Sequence, residues 1–200
     1  MKKVYIHQYN YITPLGANAQ QNWEALVLGK TGIAQHNNLA NLSSCFAAVI
    51  PDALFNRELE AYDVSTFPRI VKMALAVLVP LVQKFPVNPN TTLILSTTKG
   101  DIAALNDNNL DEASIPFLAE QIAIFFGFRK KPIIVSNACV SGALALATAK
   151  RLIQTEMITE AFVIGIDEVT EFVVSGFNSF QAMSSEPCTP YDANRKGVNL

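Results

Sequence analysis

Three short apolar runs constrain the fold more than anything else in the chain: Thr-Leu-Ile-Leu-Ser at 92–96, Pro-Ile-Ile-Val-Ser at 132–136 and Ala-Phe-Val-Ile-Gly at 161–165. They are continuous rather than alternating, so both faces of each strand need cover. Strands of that kind belong to a parallel sheet flanked by helices. Helical patterns over residues 112–126 and 139–154 separate the runs, which gives the order β-α-β-α-β. The expected class is therefore α/β, a layered sheet with helices on both faces.

The rest of the chain reads as short elements joined by short loops. Residues 4–6 suggest a strand entering the turn Ile12-Thr13-Pro14-Leu15-Gly16, and Asn22 precedes a short helix through Leu28 that Gly29 and Gly32 close. Residues 46–50 suggest another strand. Thr66-Phe67-Pro68 opens a long apolar helix that Pro80 is expected to kink or end.

Composition narrows the function. Apolar residues make up 50% of the 200 and charged ones only 16%, against about 25% in an ordinary domain. With a mean hydropathy of +0.24, this is a chain with apolar surface to cover, not a disordered one. A formal charge of −2 provides no basic field for nucleic acid or an anionic membrane. The longest apolar run, residues 73–82, is far short of the ~20 residues that a membrane span needs. Gln8, Asn10 and Pro14 break up any signal-peptide core, so a cytoplasmic location is expected. Three widely spaced cysteines, Cys45, Cys139 and Cys188, with only His7 and His36 beside them, argue against a disulfide framework or a metal site.

Cys139 stands out by position. A buried strand ends at Ser136 and a helix begins within a few residues, so Cys139 falls at the helix N-terminus, where free N–H groups and the macrodipole favour an anion. Such a setting lowers a cysteine's pKa, and the same N–H groups can stabilise an oxyanion when sulfur attacks a carbonyl. The competing reading is a small buried hydrophobe, the usual fate of a free cysteine. The small apolar residues after it and the later Lys150 and Arg151 describe a helix buried at its start and solvated at its end, with Gly142 open to a close neighbour. Cys45 and Cys188 have no comparable setting and read as packing or surface residues.

Ser136-Asn137-Ala138-Cys139-Val140-Ser141-Gly142 resembles the active-site segment of the β-ketoacyl-acyl carrier protein synthases. Other segments agree in order: Ile12-Thr13-Pro14-Leu15-Gly16, Trp23 to Leu26 with Gly29-Lys30-Thr31-Gly32-Ile33, Gly165-Ile166-Asp167-Glu168, Gly176-Phe177 to Ala182-Met183-Ser184, and Pro190-Tyr191-Asp192 to Arg195-Lys196-Gly197. Ile166 and Asp167 depart from the family's usual G-G-x-E, and Lys99 stands where many members have a glycine-rich turn.

The resemblance implies one half of a two-half, thiolase-like fold, with residues 1–200 as the N-terminal domain, incomplete at its C-terminus. It implies a 3-oxoacyl-acyl carrier protein synthase in fatty-acid or polyketide-like chain extension, an acyltransferase in which Cys139 accepts the acyl group for a decarboxylative Claisen condensation. The family's two catalytic histidines lie in its second half. Neither His7 nor His36 matches them, so this chain alone is expected not to condense. Phe177 would lie near the acyl chain, and the stretch around Ala104 would approach the deep end of the pocket. The implied partners are acyl carrier protein, with acyl and malonyl thioesters, and a second ketosynthase subunit in a homodimer or heterodimer, paired along residues 133–136. No cofactor is implied. Arg69, Lys72 and Arg129-Lys130-Lys131 are candidate docking charges for an acidic carrier, although a solvated helix end and loop is the favoured reading of them. The alternative function is a non-catalytic, chain-length-factor-like partner; such partners commonly lack the cysteine.

Overall fold

The structure, a computed structural model, describes residues 2–40, 42–107 and 109–200. In chain order the elements are α1 (Ala19–Val27), β1 (Ala34–His36), β2 (Cys45–Ala47), α2 (Asp52–Asn56), α3 (Arg69–Lys84), β3 (Thr92–Ser96), α4 (Ile115–Phe126), β4 (Ile133–Val135), α5 (Ser141–Gln154), β5 (Ala161–Gly165) and α6 (Glu171–Ser179). Short 3-10 turns cover Ile102–Asp107 and Ala138–Val140. They form two compact units. One takes the described residues up to Asn10 together with Glu58–Asp167, the other Tyr11–Arg57 and Glu168–Leu200.

The first unit is built on a parallel sheet in the order β4-β3-β5, made of the three continuous apolar runs. All of β3 is buried, as a central strand covered on both faces must be. From β3 the chain steps out to β4, then back across β3 to β5. Two right-handed crossovers in opposite directions put α4 and α5 on opposite faces of the sheet. Alternation along β3 turns Ile94 to the α5 side, where it joins Val135, Ala145, Ala149 and Ile158 in one buried cluster. Leu93 and Leu95, fully buried, face the other way.

Helix limits follow local chemistry. α4 starts three residues later than its pattern suggested because the Ser114 hydroxyl accepts the Phe117 N–H at 3.3 Å, and a proline fits its first turn. Gly127, at φ 73°, ends it in a left-handed cap. Pro80 does not end α3, as one of the two expectations for it had it: the helix runs on to Lys84. Proline forfeits one rung at a cost of about 3 kcal/mol. Burial of Ile70, Val71, Leu75, Leu78 and Val79 at roughly 1.5–3 kcal/mol each outweighs it. Residues 4–6 are likewise not in a strand. Side chains tether this segment instead: His7 packs edge-on against Phe85 at 4.7 Å, and the Asn10 amide donates to Val77 O at 3.2 Å.

In the second unit β1 and β2 form an antiparallel pair. α1 begins earlier than expected because Asn18, not Asn22, is its cap. Asn22 lies inside the helix, almost fully buried. Its amide donates to Gly16 O at 2.9 Å and Asn18 O at 2.8 Å, and its carbonyl oxygen accepts from the Thr13 hydroxyl. The Ile12–Gly16 turn is thereby locked to the helix. Residues 182–184 and 197–198 run side by side, with Ser184 N–H donating to Val198 O at 2.8 Å and Val198 N–H to Ala182 O at 2.9 Å.

Candidate functional site

All three parallel strands of the first unit end on the same edge, at Ser96, Val135 and Gly165. In an open α/β sheet that carboxyl edge is where ligands bind, because loops from neighbouring strands converge there. The segment leaving β4 turns sharply. Asn137 has φ −153° and ψ 68°, and Ala138 takes φ 44°, a left-handed conformation unusual for a residue with a Cβ. A single 3-10 turn then leads into α5. Cys139 is the middle residue of that turn and is exposed. Within this chain, then, Cys139 packs into no core.

One side chain ties the corner together. The Ser141 hydroxyl, at 4% exposure, accepts the Asn137 N–H at 2.7 Å and donates to Ala138 O at 2.7 Å.

The loop leaving β3 is held by Asp167, just past the end of β5. One carboxylate oxygen accepts from the Thr97 hydroxyl at 3.1 Å, the Thr98 N–H at 2.9 Å and the Thr98 hydroxyl at 2.8 Å. The Lys99 amine donates to the Thr98 hydroxyl. Asp167, noted in the sequence as a departure from the family pattern, thus clamps two strand ends together, while Lys99, another departure, reaches the hydroxyl of its neighbour Thr98. The signal was present in two adjacent threonines immediately after a strand, a pair of hydroxyl donors in need of an acceptor.

Ala104 lies in the 3-10 segment after β3, buried at 9% exposure, and its N–H donates to Asp101 O at 3.1 Å. Cys139 and Ala104 therefore both follow carboxyl ends of adjacent strands in one unit. Phe177 belongs to the other unit, on α6, and is 37% exposed. Of the candidate docking charges, Lys130 spends its amine on Asn90 O at 2.7 Å, and Arg69 reaches Met73 Sδ at 3.3 Å.

α5 corrects one expectation. Its start is not buried: Gly142, Ala143, Leu144 and Leu146 are exposed, and only Ser141, Ala145 and Ala149 are covered. Small apolar residues at every position state that a helix wants cover on all sides. Here the sheet supplies it on one side only. A Cβ added at Gly142 would meet nothing within 4 Å.

The three thiols differ in setting. Cys45 is 4% exposed, and burial pushes its thiol pKa up. Iodoacetamide at pH 8 is expected to label Cys139 and leave Cys45 unmodified until the protein is unfolded, as peptide mapping will show. Because the folded state holds the Cys45 proton longer than the unfolded state does, stability should fall as pH rises past about 8.5, the ordinary thiol range. For one proton the slope is at most ~1.4 kcal/mol per pH unit.

Among the described residues no group of three or more His, Cys, Asp or Glu is placed to hold a metal ion, and no helix is long and apolar enough to cross a membrane.

The structure thus sets an exposed cysteine on a left-handed corner between strand and helix, at the carboxyl edge of a parallel sheet, and the chain's ancestry follows from comparison. The chain belongs to the β-ketoacyl synthase family: residues 90–200 match that family's N-terminal domain. A Schizosaccharomyces pombe protein bearing the name of a mitochondrial 3-oxoacyl-(acyl-carrier-protein) synthase is 25% identical over 98% of this chain and 55% of its own length. Among solved structures, the ketosynthase ApeO in complex with its chain length factor ApeC, from Xenorhabdus doucetiae, superposes with a TM-score of 0.73. Its identity is 19%, covering 98% of this chain and 57% of that one. A β-ketoacyl synthase from Burkholderia phymatum gives a TM-score of 0.65 at 19% identity, covering all of this chain and 56% of that one. The fold is thus that of the thiolase-like ketosynthases, and the chain spans about half the length of the relatives it matches.

Proposed function

We propose that this chain is the acyl-accepting half of a 3-oxoacyl-acyl carrier protein synthase, with Cys139 as the nucleophile. The observation that carries the reading is the exposed Cys139 on its corner at the carboxyl edge of the sheet, inside the segment that matches the family. The Cys139 thiolate attacks the thioester carbonyl of an acyl carrier, and a tetrahedral oxyanion forms. The carbon–sulfur bond to the carrier then breaks, and the carrier leaves as its thiol after taking up the proton that Cys139 gave away. The donor for that anion on this chain is the backbone N–H of Cys139 itself, since the N–H groups of Val140 and Ser141 are already held by Asn137 O and Ala138 O.

Condensation needs more. Decarboxylating a malonyl thioester calls for groups that stabilise the developing enolate, and the family uses two histidines for it. His7 packs on Phe85 and His36 lies on β1, so neither serves, and this chain by itself acylates without condensing. Its partner is a second ketosynthase-type subunit, a reading supported by the chain length factor that accompanies ApeO. The outer edge of β4, where Ile134 is exposed, is the pairing edge.

Incubation with an acyl thioester, read by intact mass, is expected to add one acyl group to the parent chain and none to Cys139→Ala. An adduct on Cys45 or Cys188 instead would overturn the assignment. A 3-oxoacyl product formed from malonyl and acyl donors by this chain alone would overturn the division of labour.

A further inference from the structure

We infer that Ser141 is a positioning residue that sets the reactivity of Cys139 by clipping the corner in its left-handed form. The inference rests on the reading of Cys139 as the nucleophile and adds a second residue to that site. The peptide groups bracketing residues 137 and 138 are the Asn137 N–H and the Ala138 carbonyl, and both bind the same buried hydroxyl, each at 2.7 Å. Those two bonds fix the torsions between them, including the φ of 44° at Ala138. A residue with a Cβ holds such a torsion only where its surroundings over-determine it. Asn137 and Val140, at the two cap positions, make no side-chain capping bond, so Ser141 is the side chain that supplies the constraint.

Cys139 is the next residue along. If Ala138 relaxes to negative φ, the Cα–Cβ bond of Cys139 swings with the rotated peptide, and its sulfur is displaced from the exposed place that the corner gives it. Nucleophilic attack tolerates little misplacement. A serine hydroxyl can fill this role because it accepts and donates at once. Alanine can do neither, and threonine keeps both.

The experiment uses the chain's own thiols. Iodoacetamide labelling at pH 8 is followed by peptide mass spectrometry, with Cys188 as an internal rate reference and buried Cys45 as a check on folding. Ser141→Ala is expected to slow Cys139 labelling at least tenfold relative to Cys188 while Cys45 stays protected, and Ser141→Thr should return the rate to within about threefold of the parent. Ser141→Ala labelling at the parent rate would overturn the inference. So would equal slowing in both variants, or labelling of Cys45 in Ser141→Ala, since either assigns the effect to packing. Normal labelling behaviour together with failure of any acyl thioester to modify Cys139 would defeat the acyl-transfer reading and leave the clip standing.

Discussion

Gly197→Ala is expected to destabilise the second unit by roughly 4 kcal/mol, the sum of a strained backbone torsion and an overpacked contact. Gly197 has φ 136°, a region closed to side chains, and a Cβ there would sit 2.5 Å from Ala182 O and 2.9 Å from both Met183 C and Ser184 N. All three atoms are backbone, so no rotamer change relieves the clash. The neighbouring hydrogen bonds, Ser184 to Val198 and Val198 to Ala182, hold the two stretches together and would have to break for either to move. Gly176→Ala is the control in the same unit. It lies inside α6 with nothing within 4 Å of an added Cβ, so alanine should stabilise by about 0.5–1 kcal/mol. Urea titration of the two variants against the parent decides the matter, and a Gly197→Ala midpoint equal to the parent's would show the close approach to be absent.

The second large effect is expected at Ile94. Replacing it with alanine removes the centre of the cluster formed with Val135, Ala145, Ala149 and Ile158. Large-to-small core changes of this kind cost about 2–5 kcal/mol, depending on how far the site can collapse. Collapse is restricted here because β3 is pinned by β4 on one side and β5 on the other. The loss should therefore lie in the upper half of that range. A fall in unfolding free energy below about 1 kcal/mol would mean that α5 is free to move onto the sheet.

How far the fold was legible depended on where each signal resides. Continuous apolar runs mark strands covered on both faces, and Thr92–Ser96, Ile133–Val135 and Ala161–Gly165 are the three strands of the sheet. Pro80 misleads because a local rule about one lost hydrogen bond meets a helix with an almost wholly buried face, and burial wins. Asn22 misleads in a similar way: a residue suited to capping becomes a buried tether because Asn18 already caps. The exposed start of α5 is the most instructive miss. Apolar sequence records that a surface requires cover, and says nothing about which chain supplies it. The placement of Cys139 between strand and helix was legible from the apolar run before it and the helical pattern after it. The work of Ser141 and Asp167 was not, because each joins backbone groups whose proximity exists only once the corner and the sheet have formed.

The strand order has a consequence for how the chain is made. β3 takes β5 as its partner along its whole length, yet roughly 70 residues of intervening chain must be synthesised first, which at about 5–20 residues per second takes several seconds. β4 arrives sooner and covers one side of β3. Until β5 docks, the other side offers a row of free peptide groups flanked by leucine and isoleucine, open to any passing strand. The yield of folded protein should therefore depend on translation speed and chain concentration more than the stability of the finished sheet would suggest.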